Sequence, residues 1–428
     1  MGAPRRLKVL FIPAWYPSEE YPINGIFIRE HAKAAALYHD ITVVYAYVDP
    51  SLQPWKLCRV SDSMENGIRT IRIKYADAFA YLKKLLIKEP RRKGYSLSNS
   101  DRKVISILRK IFRIPRTVLL DLLYLGITFA AFRKLLKEGF KPDVIHAHVY
   151  SAGVPAVLIG KRYGLPVVIT EHSSGFPRRL IRGFGKLKAK FAFERADLVC
   201  PVSEDLRRHI EEYGIRARFR VVPNVVDTSL FAPADSVPTR ENNRKRLLLV
   251  AALIPIKGVS CLLEALARLR EKRDDFALDI VGDGPNRTEY EELTYKLGLR
   301  DVVRFQGLKT KQEVARFMQR CDFFVLPSLF ETFGVTLIEA MACGKPVIAS
   351  DIGGPKEIVT EKVGKLVPPG DSETLAEAVD YMLDHYREYD PEKIVQYVRQ
   401  RYSYQAVGKE CDRVYRSVTS SFMRVLRS

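Results

Sequence analysis

The sequence predicts an α/β protein made of two doubly wound parallel-sheet domains that face each other across a cleft. Three observations carry this expectation. Short apolar runs alternate with segments of helical spacing, the order that builds parallel sheets covered by helices on both faces. The alternation breaks at one polar stretch, APADSVPTRENNRKR at residues 232–246, and then restarts. With 428 residues, 47% of them hydrophobic, the chain can fill two cores of ordinary domain size. The expected boundaries are 1–231 for the first domain, 232–246 for a linker and 247–403 for the second, with residues 404–428 a basic helix packed back on the first.

The first domain opens on KVLFIP, a buried strand, followed by the loop WYPSEEYPING, a helix starting near Gly25 and the strand ITVVYAY. This βαβ unit lacks GxGxxG, so it is no typical dinucleotide fingerprint. Asn24 and Gly25 stand at the helix start, where a glycine lets the backbone approach a ligand closely; a plain turn glycine is the competing reading. Residues 82–116 carry 12 Lys/Arg against 2 acids, with apolar residues at helical spacing. That pattern suits a helix lying on an anionic membrane surface, and equally a core-packed helix with a solvated basic face. Nucleic acid is disfavoured, because base-stacking aromatics are not interleaved there. The apolar segment 118–132 contains Asp121 and falls short of the roughly 20 residues a membrane helix needs. Regular alternation follows, with PDVIHAHVY, LPVVITEH, DLVCPVS and FRVVPN as strands and SAGVPAVLIGKRYG, KLKAKFAFERA and EDLRRHIEEYG as helices between them. The second block reads RLLLVAAL, ALDIVGDG, VVRFQG, DFFVLPS, KPVIAS and GKLVPP as strands separated by helices.

Charge is divided unevenly. Residues 1–230 hold 40 Lys/Arg against 21 Asp/Glu, a net of +19, whereas the rest hold 30 against 29. A basic partner surface therefore belongs to the first half. Cysteines 58, 200, 261, 321, 343 and 411 show no CxxC and no metal-type spacing, which suggests reduced core thiols. No signal peptide precedes the first strand, since MGAPRRLK leads straight into it. A cytoplasmic protein is the expectation, with peripheral attachment to the inner face of the plasma membrane as the extension that the basic stretch suggests.

The most informative stretch is FFVLPSLFETFGVTLIEAMACGKPVIASD at residues 323–351. An apolar run, a loop, a helix and a second apolar run follow one another, and ligands of open α/β sheets collect at the carboxyl ends of strands. There the chain places Glu331 and the Phe333-Gly334 turn, beside helix amides that favour an anion such as phosphate. Glu339 lies eight residues beyond Glu331 inside the apolar run LIEAMA. The bland alternative is a pair of solvated acids, but a charge in that apolar setting needs a partner.

These residues resemble the retaining glycosyltransferases of family 4, whose GT-B architecture is two Rossmann-like domains. The Glu-x7-Glu motif appears as ETFGVTLIE, followed by AMACGKPVIAS, with PNVVDTSLF, LIPIKG and VGDGP as further marks. The resemblance implies that a nucleoside diphosphate sugar binds to the second domain. Glu331 would hold the donor sugar and stabilise charge at its anomeric carbon. The amides of Phe333, Gly334 and Val335 would cradle sugar and diphosphate, Glu339 would hold the ribose, and Lys257 would neutralise the leaving diphosphate. Contacts around Arg304 and Gly307 would read the base. In the first domain Gly25 would lie near the donor phosphates, with Asn24 and His148 toward the acceptor. His172 would stand at the reaction centre, and His146 is a satisfied buried imidazole. One departure stands out: Ala252 occupies the place of the family's usual arginine, removing a bidentate phosphate clamp. Arg304 and Lys309 are candidates to replace it.

The implied activity is sugar transfer to an acceptor hydroxyl with retained configuration, in assembly of a cell-envelope polysaccharide or glycolipid. The acceptor would be lipid-linked or a saccharide. No metal or other cofactor is implied, and Asp-x-Asp does not occur. The competing readings are a sugar-nucleotide epimerase of the same architecture and a non-catalytic basic scaffold.

Overall fold

The computed structural model describes residues 5–49, 51–52, 58–77, 116–234 and 244–427. The basic stretch 82–115 and most of the linker lie outside the described residues. The first domain runs β1 (Lys8–Pro13), α1 (Ile26–Ala36), β2 (Asp40–Asp49), β3 (Cys58–Glu65), β4 (Ile68–Ala76), α2 (Arg116–Lys137), β5 (Val144–His148), α3 (Tyr150–Tyr163), β6 (Val167–Glu171), α4 (Phe184–Arg195), β7 (Leu198–Pro201) and α5 (Glu204–Glu211). The second runs β8 (Lys245–Val250), α6 (Val259–Arg270), β9 (Phe276–Val281), α7 (Arg287–Lys296), β10 (Val303–Gly307), α8 (Lys311–Arg320), β11 (Phe323–Leu326), α9 (Val335–Ala342), β12 (Val347–Ser350), α10 (Gly353–Ile358), β13 (Gly364–Val367), α11 (Ser372–His385) and α12 (Pro391–Tyr402). A long final helix, α13 (Tyr404–Arg427), closes the chain.

The central strands are buried on both faces, which is why they read as unbroken apolar runs such as FFVL and VVITE. Spatial order is β3-β4-β2-β1-β5-β6-β7 in one sheet and β10-β9-β8-β11-β12-β13 in the other. Every pairing is parallel except β3 with β4. Leaving the edge strand β3 aside, both sheets wind outward in two directions from a central pair. The order reverses between β1 and β5 and between β8 and β11, and such switch points open crevices at the carboxyl ends of the strands.

Two elements differ from the sequence reading. The β3–β4 hairpin was not among the expected strands, although its turn, Asn66-Gly67 with φ of 51° and 77°, is the residue pair that a two-residue hairpin demands. The stretch FRVVPN forms no strand. It runs along β7 through single bonds, Arg220 N to Val199 O at 3.0 Å and Val222 N to Pro201 O at 3.1 Å, and Pro223 then has no amide to continue the ladder.

Helix α13 lies against the first domain rather than the second. Gly408 sits so close to α1 that a Cβ there would come within 2.3 Å of Ala34 O. Tyr415, Cys411 and Val414 share a buried cluster with Val9 and Phe11 of β1. The chain thus crosses between domains twice, and Val226 N donates to Tyr402 O at 2.9 Å where the crossings meet.

Candidate active site

Both switch points face one cavity of about 260 Å³ walled by the two domains. The first domain contributes Phe27, His172 and Asn224; the second contributes Ala251, Ala252, Lys257, Glu331 and residues 332–336. Lys257 comes from the short turn after β8, Glu331 from the loop after β11, so each stands at the carboxyl end of a central strand. Their side chains, both mostly buried, meet at 2.6 Å. Beside them α9 begins at Gly334, whose φ of 90° suits glycine, and no side chain caps the helix. Its first amides have no acceptor within the helix and line the cavity, so fixed positive dipoles stand next to a Lys–Glu pair.

Glu339 lies one turn along α9 on the face of Val335, buried and outside the cavity lining. Burial pushes its carboxyl up to about 7, with Lys311 pulling it down and Glu30 pushing it up. Lys311, from α8, bridges to Glu30 of α1 at 3.2 Å across the domain boundary. Further contacts close the same boundary. Thr332 Oγ1 donates to His172 O at 3.3 Å, and Ser203 Oγ donates to Thr332 O at 2.9 Å. Glu357 of the second domain accepts the amides of Glu204 and Asp205 at 2.9 and 2.7 Å, capping the start of α5.

The histidines correct the sequence reading. His172 lines the cavity, but Nδ1 pairs with Asn224 Oδ1 at 3.1 Å and Nε2 with His148 Nδ1 at 3.1 Å. Both ring nitrogens are engaged, which holds the imidazole of His172 in one orientation on the cavity wall where the reaction centre was expected. His148 is fully buried behind it, packed on Phe11 and His146, and does not reach the cleft. His146 is held by Tyr415 Oη and Thr170 Oγ1, each at 2.7 Å. Burial holds all three imidazoles well below their ordinary range, and mutual repulsion adds to this, so they are neutral. Sequence reasoning passed over Glu171, which accepts the amides of Tyr150, His172 and Ser173 at 2.7–2.9 Å and fixes the turn carrying His172. Burial pushes it up to about 7, the three amides opposing. An acid at the end of the apolar strand VVITE was its signal. Asn224, Phe27 and Thr332 left no comparable sign.

Other candidates lie apart. Gly25 starts α1 at φ 68°, and a Cβ would strike Trp15 at 2.5 Å; neither it nor Asn24 lines the cavity. Arg304 is displaced for a geometric reason: it is the second residue of β10, about 10 Å short of the strand's carboxyl end. It lines a separate depression with Arg244, Arg246 and Asp301. Gly307 stands at the carboxyl end, accepting from Gly282 N at 3.0 Å, outside the lining. Lys309 is not in the lining either, so among the described lining residues Lys257 is the sole cation.

Comparison with known proteins agrees with this architecture. The family model for Glycosyltransferase Family 4 matches residues 88–230, and that for glycosyl transferases group 1 matches residues 233–401. An uncharacterized glycosyltransferase of Methanocaldococcus jannaschii is 32% identical over 51% of this chain and 59% of its own length. Alpha-D-kanosaminyltransferase of Streptomyces kanamyceticus is 27% identical over 64% and 77%. D-inositol 3-phosphate glycosyltransferase of Kribbella flavida is 30% identical over 53% and 59%. The chain thus spans about three fifths of the length of two of these three relatives. Sucrose-phosphate synthase from Thermosynechococcus elongatus superposes with a TM-score of 0.69 at 21% identity, covering 97% of this chain and all of that one. Anabaena HepE in complex with UDP and glucose gives 0.66 at 19%, covering 96% and 100%. With two sheets of the same winding, a cleft between their switch points and family matches in both halves, the chain belongs to glycosyltransferase family 4 and has the GT-B fold.

Proposed function

We propose that this protein transfers a sugar from a nucleoside diphosphate sugar to an acceptor hydroxyl with retention of anomeric configuration. The Lys257–Glu331 pair beside the uncapped start of α9 carries this reading. A departing diphosphate needs positive charge and an oxocarbenium-like sugar needs negative charge, and this cavity offers one of each about a hydrogen bond apart. Lys257 and the α9 amides meet the diphosphate; Glu331 turns from Lys257 to the sugar. Glu339, on the same helix face, takes the ribose hydroxyls, and this gives a buried acid its purpose. With charge stabilisation supplied by these groups, the reaction proceeds without a metal ion. The UDP complexes of HepE and the glycosyltransferase names of the sequence relatives support the donor class.

The acceptor enters from the first domain, whose net +19 suits an anionic or membrane-presented molecule such as a lipid-linked glycan of the cell envelope. Nucleotide release from a panel of UDP-, GDP- and ADP-sugars with lipid-linked and saccharide acceptors tests the reading. Turnover with one donor and an α-linked product from an α-donor is expected. Inverted product overturns retention, and no binding or turnover with any donor overturns the transferase assignment.

A further inference from the structure

One surface of the first domain is unlike the rest. Helix α4 buries Ala189, Ala192 and Phe193 against the core and turns large apolar side chains outward. Phe184 and Leu187 are 49% and 64% exposed, and Leu180, in the preceding loop, is 55% exposed. Positions 184, 187 and 188 share one helix face, so this is a patch and not scattered side chains. The stretch 178–195 around it carries seven Lys/Arg and one acid, Glu194. Among the described residues Arg178, Arg182, Lys186 and Arg195 have no carboxylate partner. Lys188 bonds Asp121 of α2 at 2.7 Å, which ties this face to the turn of α2 that holds exposed Leu122 and Leu123. The patch shares its connection with the cavity, because the β6–α4 segment that carries Leu180 begins with His172 at the cavity wall.

We propose that the loop before α4, α4 itself and the facing turn of α2 form a docking surface for an anionic lipid bilayer. Apolar side chains ringed by cations are what an interfacial site requires: the former enter the acyl boundary and the latter meet the headgroups. A nucleic acid would use the cations but leave Leu180, Phe184 and Leu187 in water, whereas a bilayer engages both. The inference stands apart from the assigned reaction, since binding is read without turnover.

Flotation of the full chain with vesicles of phosphatidylcholine alone or with about 30% phosphatidylglycerol tests it. Binding is expected only to the anionic vesicles, weakening but persisting from about 50 to about 300 mM salt. The triple variant L180S/F184S/L187S should bind at least about tenfold more weakly at the higher salt, with unchanged thermal melting. A charge variant, R182E/K186E, should lose binding mainly at low salt. Equal binding by the triple variant and the parent, absence of vesicle binding, or displacement from vesicles by duplex DNA at equal charge would each overturn the proposal.

Discussion

Glu331 and Lys257 neutralise each other at 2.6 Å until a substrate offers each a better partner. Replacing Glu331 by Ala should therefore leave the fold unchanged and lower turnover by about a thousandfold, the size of losing one preorganised electrostatic group. Full activity of that variant in a nucleotide-release assay would misplace the reacting sugar. Ala252 gives a second test by gain. It is exposed on the cavity wall beside Lys257, the sole cation of the described lining, so Ala252→Arg can add a planar bidentate clamp. Calorimetric titration with the diphosphate of the preferred donor should show about tenfold tighter binding. Unchanged affinity would mean that the diphosphate does not pass this wall. The motif at 331–339 was legible because it is contiguous and ties chemistry to one turn. That His148 lies buried behind His172, and that Asn224 holds the His172 ring, was not legible, since both depend on partners remote in sequence.

At the level of elements, helices α1 and α8 are joined by Glu30 and Lys311, and α13 adds the Tyr404 hydroxyl to the same carboxylate. Burial works to raise the Glu30 pKa, but Lys311, Tyr404, Lys33 and Arg29 together outweigh it, and the carboxyl ends below its ordinary range. Removing Lys311 leaves Glu30 and Glu339 as neighbouring buried acids with their shared cation gone. Lys311→Met should destabilise the protein by about 3 kcal/mol in urea unfolding, and Glu30→Gln in the same chain should recover most of that loss. Additive losses in the double variant would show that the two residues are not coupled. This bridge could not be read from the sequence, because it depends on how the domains meet. The alternation of strands and helices could be read, since each buried parallel strand needs its own apolar run. The β3–β4 hairpin escaped because its exposed β3 residues, CRVSDSME, carry no such run, although Asn66-Gly67 marked its turn.

Across the whole molecule, buried imidazoles and buried acids make opposing demands on pH. Burial lowers His31 to about 4 and holds His39, His146, His148 and His172 below their ordinary range. Each binds a proton less readily when folded than when unfolded, so each removes stability as pH falls through about 6.5. Glu171 and Glu339 act with the opposite sign. Raised to about 7 by burial, they hold protons in the folded state that the unfolded chain has released, and they add stability as pH falls from about 7 toward 4.5. Five depressed imidazoles against two raised carboxyls make the unfolded chain the net proton binder as pH falls below about 6.5, so stability falls with acidification. Self-repulsion of the basic first domain acts in the same direction. Urea unfolding followed from pH 7.5 to about 5 should therefore show stability falling steeply on acidification, and Glu171→Gln, which removes one opposing group, should steepen the fall further. Stability that is level or rising toward pH 5 would mean that the imidazoles are charged in the fold, and the His148–His172–Asn224 chain at the cavity wall would then be protonated differently from the neutral arrangement inferred from its hydrogen bonds.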